Sequence, residues 1–178
     1  MTDNELIRVV RGFLVGELAS DQMSVLVIQK QNPTQQGVPN TPCLFIEKLF
    51  DTPRGHPEYT KVYQQSTNSF VETEKQLMAT TFQISALVLQ IPENTNLPTA
   101  SDMANYALGK LQSRKFLRVL EPLDLGVLRA PDVRNPYFTD DRDRQEAAPS
   151  FDIAVTHYRT TTTNSPIVTT AEVDLYRV

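Results

Sequence analysis

Between Phe70 and Ile91 nothing in the sequence ends a strand: FVETEKQLMATTFQISALVLQI holds neither proline nor glycine. Drawn straight, this segment reaches roughly 70 Å at about 3.3 Å per residue. A domain of this length is only about 30–40 Å across. Either the strand breaks near Met78–Thr81, or Tyr59–Met78 leaves the body as a β-hairpin arm. The polar, alternating run Val71–Gln76 favours the arm, with Tyr59–Gln65 as its first strand and Ser66–Ser69 as its turn. The later half reads as a central strand covered on both sides, with Phe82, Ile84, Ala86 and Val88 on one face and Leu87, Leu89 and Ile91 on the other.

The cleanest period-two pattern follows Pro149. Phe151, Ile153, Val155 and His157 alternate with Asp152, Ala154, Thr156 and Tyr158, which predicts a half-buried strand over Phe151–Arg159. Pro149 precedes it, where a missing N–H costs no ladder bond. TTTTNSP at Thr160–Pro166 then reads as a hairpin connection. Ile167–Tyr176, with Ala171, Val173 and Leu175 inward, reads as an antiparallel closing strand.

Two helices are marked at both start and face. Thr2 with Glu5 makes a capping box before Thr2–Ala19, and Leu6, Ile7, Val10, Phe13, Leu14 and Leu18 recur at helical steps. Gly12 and Gly16 in this helix offer a close approach to another backbone. Thr99 and Asp102 cap Thr99–Gln112, whose stripe is Met103, Ala104, Ala107, Leu108 and Leu111. Arg114–Leu120 adds a short helix before Pro122, and Leu123–Leu128 a brief extended piece. Val25–Lys30 and Cys43–Phe50 are short apolar strands around the Pro/Gln loop Gln31–Pro42. Asp51–Pro57 reads as a turn. Arg129–Ser150 is a long charged loop. The expected fold is α+β: one domain over 1–178, a mostly antiparallel sheet flanked by two main helices, a hairpin arm at about 59–79 and a charged loop at about 129–150.

Composition narrows function more by exclusion. The net charge of −4 and the lack of a basic cluster argue against gripping nucleic-acid phosphates. A mildly acidic wall that DNA passes without sticking stays compatible. No apolar run approaches the roughly 20 residues that span a bilayer, and the N-terminus lacks a signal-peptide layout, so no membrane role is expected. The one cysteine, Cys43, opens an apolar strand and reads as a small buried hydrophobe.

Catalytic signatures are missing. There is no phosphate-binding glycine loop, no H-E-x-x-H, no C-x-x-C and no nucleophile elbow. The two histidines read as a solvated loop residue, His56, and a core or interface residue, His157. Asp140, Asp141 and Asp143 suggest calcium, but Arg142 and Arg144 interleave with them, and the glycine and glutamate of an EF-hand are absent. An Arg/Asp-rich loop suits contacts between subunits, since Arg binds carboxylates in two-pronged fashion. No enzyme activity, cofactor or metal is expected.

Three stretches, in this order, resemble the tail-terminator and neck proteins of tailed bacteriophages, in particular the neck terminator family. They are VIQKQNPTQQGVPNTP at Val27–Pro42, FQISALVLQ at Phe82–Gln90 with the helix Ala104–Leu111 after it, and RNPYFTDDRDRQEAAPSFDIAVTHY at Arg134–Tyr158. The chain departs from that pattern at Ala147, Ala148 and Pro149, where a more charged approach is expected. The resemblance implies a virion structural protein of the neck, made in the host cytoplasm. It implies a homo-oligomeric ring, a hexamer, that caps the tail tube, ends its growth and joins it to the head–tail connector or adaptor, with double-stranded DNA passing through the lumen without sequence-specific binding. The candidate interface residues are Arg134, Asp140, Asp141, Arg142, Asp143, Arg144 and Glu146 in the loop, and Tyr63 and Phe70 on the arm. Competing readings are a head–tail adaptor, a tail-tube subunit, a small α+β enzyme of unknown chemistry and a monomeric binding module.

Overall fold

A computed structural model gives the structure of residues 1–29, 41–88, 97–139, 145–147 and 149–166; the side chains of 137–139 and 145–147 are not described. The elements in order are α1 (Asp3–Ser20), β1 (Leu26–Gln29), β2 (Cys43–Gln64), β3 (Ser69–Leu87), α2 (Ala100–Leu111), α3 (Arg114–Leu120), a 3-10 turn at Glu121–Leu123, β4 (Gly126–Val127), β5 (Tyr137–Thr139), β6 (Gln145–Ala147) and β7 (Ser150–Pro166). A mixed sheet runs β1-β2-β3-β7-β4, and β5 pairs with β6. Only β1 with β2 is parallel in the main sheet. The fold is α+β and mostly antiparallel, as the sequence predicts.

The helices form where local signals place them. Thr2 and Thr99 both close capping boxes, with Glu5 and Asp102 as their reciprocal partners. One stripe of each helix turns to the sheet: Leu6, Val10, Leu14 and Leu18 from α1, Met103, Ala107 and Leu111 from α2, Phe116 and Leu120 from α3. They meet Leu44, Ile46, Phe82, Ile84, Phe151 and Ile153 from the sheet, all fully buried. Each such side chain contributes about 1.5–3 kcal/mol relative to exposure. The Phe13 and Phe116 rings, 4.7 Å apart between centroids, join α1 to α3. Cys43 is buried as expected, burial pushes its thiol pKa up, and Sγ donates to the Thr41 carbonyl at 3.0 Å.

The long segment takes the arm solution. β3 runs unbroken for 19 residues between β2 and β7. Its burial falls away at Met78, and that of β7 falls away just beyond Met78's ladder partner His157. Beyond that rung β3 continues through the nine further residues Ser69–Leu77, roughly 30 Å of strand at about 3.3 Å per residue.

Several expectations need correction. Asp51–Pro57 is not a turn but part of β2. The turn-like residues are absorbed by a bulge: Arg54 pairs with Leu77 and Glu58 with Lys75, so three residues oppose Gln76 alone. Gly55 takes the left-handed φ of 68° that the bulge requires, and the Gln76 amide donates to the Arg54 carbonyl at 2.9 Å. Thr160–Pro166 is not a hairpin connection but the outer half of β7, paired with β3 as far as Ser69. Among the described residues the arm therefore has three strands rather than two. β3 is covered by helices on one face only; Thr81, Gln83 and Ser85 on the other are half-buried. The charged loop contains the paired strands β5 and β6. Gly12 and Gly16 lie on the exposed side of α1, with nothing within 4 Å of where a Cβ would stand. The closing strand Ile167–Tyr176, the loop through Asn40 and the end of the central strand beyond Val88 lie outside the described residues.

Candidate assembly surfaces

The arm is a ribbon with two faces set by register. The face continuous with the helix-covered side carries Tyr59, Lys61 and Tyr63 from β2, opposite Glu74, Glu72 and Phe70 from β3. Directly opposed side chains on one face are in contact range. The Tyr63 and Phe70 rings meet at a tilt of 57° with centroids 5.5 Å apart. Lys61 Nζ donates to Glu72 Oε1 at 2.6 Å and lies 4.9 Å from the Phe70 ring centre. Tyr63 Oη donates to Asn68 Oδ1 at 3.0 Å, tying the sheet to its turn. Tyr59 has no such tie among the described residues and is 72% exposed; Val62 on the other face is 63% exposed. Neither Glu58 nor Glu74 has an ion-pair partner among the described residues.

The edges of this ribbon differ along their length. β1 covers β2 only as far as Ile46. Just beyond, β2 carries a register shift between Lys48 and Phe50, then Pro53, then the bulge holding Pro57. Bulges and prolines spoil an edge as a template for pairing. The regular part is the seven-residue stretch Glu58–Gln64.

A buried polar network holds the root. Thr80 Oγ1 donates to Asp51 Oδ1 at 2.7 Å and lies 3.0 Å from His157 Nε2. With its hydrogen given to the carboxylate, Thr80 accepts from the ring, which places the imidazole proton on Nε2. Lys48 Nζ bridges Asp51 and Asp3, at 2.8 and 2.7 Å. Burial acts to raise the Asp51 carboxyl, but the bonds from Lys48 and Thr80 outweigh it and hold it below its ordinary value. Burial pushes His157 down, with the Tyr158 backbone and Asp51 opposing but not reversing the shift. The hydroxyl stands between ring and carboxylate and is itself fully buried, so this trio cannot present a nucleophile to a substrate.

A second exposed apolar surface lies on α3. Its buried pair, Phe116 and Leu120, uses one side of the seven-residue helix. Leu117 and Val119 fall off that stripe and are exposed, as are Leu123 and Leu128 beyond. Arg114, Leu117, Arg118, Glu121, Asp124 and Leu125 line an open groove of about 490 Å³. Its lining holds two basic and two acidic side chains, and neither Arg114 nor Arg118 has an ion-pair partner among the described residues.

The predicted interface residues divide accordingly. Tyr63 and Phe70 are brought together on the arm. Arg134 stands apart from them: its backbone bridges Ser150 with two 2.8 Å bonds, and its guanidinium binds Asp152 Oδ2 at 2.8 Å, fastening the charged loop to the start of β7. Asp140, Asp141, Arg142, Asp143 and Arg144 lie outside the described residues, and Glu146 is placed only as backbone, opposite Phe138 in the β5–β6 pair. Sequence reasoning missed Tyr59 and the α3 groove. The signal for the groove was present: RKFLRVL holds more apolar residues than one buried stripe can use.

The family described as E217 gateway protein gp29 matches residues 5–167. No curated protein matches the chain. Among solved structures, a similar chain is the sheath/tube terminator of an extracellular contractile injection system, PVC, in its extended state, seen by cryo-electron microscopy. It shares 11% identity with a TM-score of 0.45, over 100% of this chain and 64% of that one, so this chain spans less than two thirds of that neighbour's length. The chain belongs to the E217 gateway protein gp29 family.

Proposed function

We propose that the protein is the subunit of a six-fold ring that caps the tail tube, ends tube growth and joins it to the head connector, with DNA passing through the lumen. The observation that carries this reading is the arm: a ribbon of β2, β3 and β7 projecting beyond the core, with Tyr59 and Val62 largely in solvent. Such a surface is a liability on a monomer and an asset once a neighbour covers it. A net charge of −4 suits a lumen that lets DNA slide, because a basic lining would retain it. The loop from Arg134 to Glu146 supplies subunit or connector contacts through its alternating Arg and Asp residues.

The test is native mass by light scattering over a range of concentrations, with negative-stain images of the same sample, alone and with tail tubes. A closed ring of fixed subunit number, or one that appears only on tubes, supports the proposal. Open-ended tubes favour a tube subunit instead, and a strict monomer under all conditions overturns the assembly reading. The double variant Arg142→Glu/Arg144→Glu should weaken ring formation and leave the fold intact. Unchanged assembly and unchanged infectivity in complementation would remove the loop from the interface.

A further inference from the structure

We propose that the α3 groove of one copy receives the arm of the next, with Tyr59 as the anchor; this rests on the ring reading above. Two exposed apolar surfaces occur on one chain, and they are different surfaces. Tyr59 and the groove residue Leu117, at 72% and 44% exposure, are both open to solvent in the same molecule. The arm therefore does not fold back onto its own groove, which leaves each patch open to the complementary patch of a second copy.

The chemistry of the two surfaces matches. On its arm face, Tyr59 stands directly across from Glu74, an aromatic ring beside a carboxylate that lacks an ion-pair partner among the described residues. The groove is lined by the apolar Leu117 and Leu125, the basic Arg114 and Arg118, and the acidic Glu121 and Asp124. A tyrosine ring seated on the two leucines brings Glu74 within reach of an arginine of the groove, and its hydroxyl can donate to Glu121 or Asp124. Arginine also binds the aromatic face favourably. Buried tyrosine and arginine are the side chains that dominate such contacts. Because the arm and the groove are different patches, the contact is heterologous, and a repeated heterologous contact closes into a ring when its rotation permits.

The experiment mixes two half-defective chains. Variant Tyr59→Ser/Glu74→Ser keeps an intact groove, and variant Leu117→Ser/Arg118→Ser keeps an intact arm. Each alone should lose ring formation with an unchanged circular dichroism spectrum. Mixed in equal amounts they should form a dimer and stop there, since one intact arm meets one intact groove once. As a check independent of any loss of folding, Glu74→Arg and Arg118→Glu should each weaken assembly, and their combination in one chain should restore it. Rings from either half-defective variant, no dimer on mixing, or no rescue by the charge swap overturns the arm–groove contact while the wild-type ring stands. A wild type that stays monomeric even on tail tubes overturns both proposals together.

Discussion

Thr80 joins two groups that would otherwise be costly where they are. Its hydroxyl is the donor to Asp51 and the acceptor for His157, and it is fully buried. Thr80→Val keeps the shape and removes both bonds, so it should cost on the order of 2 kcal/mol in urea unfolding. The His157 ring is held neutral, with Nδ1 buried and without a hydrogen-bond partner among the described residues. The groups facing it are Thr80 on β3, Asp51 on β2 and Arg159 on its own strand. Its folded pKa lies below the unfolded value of about 6.5, so in between the unfolded chain binds the extra proton. The stability it contributes is complete above about pH 6.5 and falls as pH drops below that value. Wild-type melting temperature should fall from about pH 7.5 to 5.5, and His157→Gln should flatten that fall; parallel profiles would show the ring does not titrate on unfolding.

At the scale of elements, the helices are interlocked by charge as well as by packing. Glu17 on α1 is buried and accepts from Lys110 on α2 at 3.1 Å and from Lys115 on α3. Asp21 joins through Lys110 at 2.9 Å and through the Tyr106 hydroxyl at 2.6 Å. The bond from Lys115 first, and that from Lys110 second, hold the Glu17 carboxyl below its ordinary range. Its contribution is therefore present above the unfolded value of about 4.3 and is lost as pH falls through the lower folded value. Glu17→Gln should melt lower than wild type at neutral pH and lose less on acidification to about pH 3. Equal acid limbs would mean the pair is too well screened to matter. The helices themselves were legible because their signals are local: Thr2 with Glu5, Thr99 with Asp102, and apolar steps of three and four. The outer half of β7 was not. Thr160–Pro166 faces solvent on both sides, so no alternation marks it, and its strand state comes from pairing with β3. The bulge in β2 was misread for the opposite reason. Gly55 and Pro57 are strong turn signals, and here they serve an edge strand whose missing bonds Gln76 supplies. Tyr63 and Phe70 were legible from sequence as residues of the arm, though not as a pair; the groove depends on α2 and the sheet fixing which side of α3 is left over.

On the scale of the whole molecule, the helix-covered core and the arm are stabilised by different interactions. The core is a sealed apolar layer, whereas the arm is held by ladder bonds, the Tyr63–Phe70 pair and the Lys61–Glu72 contact. The two should therefore be separable. Val71→Pro, in the middle strand of the arm, breaks the ladder where proline has no place. It should open the arm to limited proteolysis and, on the ring proposal, abolish assembly, while the melting of the core moves by no more than about 2 °C, the effect of about 0.5–1 kcal/mol in a chain this long. A large loss of melting temperature would mean that the arm is part of the cooperative unit.

β3 and β7 each pass from arm to core as one continuous strand, hydrogen-bonded to each other along the whole way. A pull along the arm axis therefore loads all those bonds in shear at once. It does not unzip them one rung at a time. Force along the arm is thus shared among all of these rungs, so the arm should resist mechanical unfolding along its axis far better than it resists peeling from its tip.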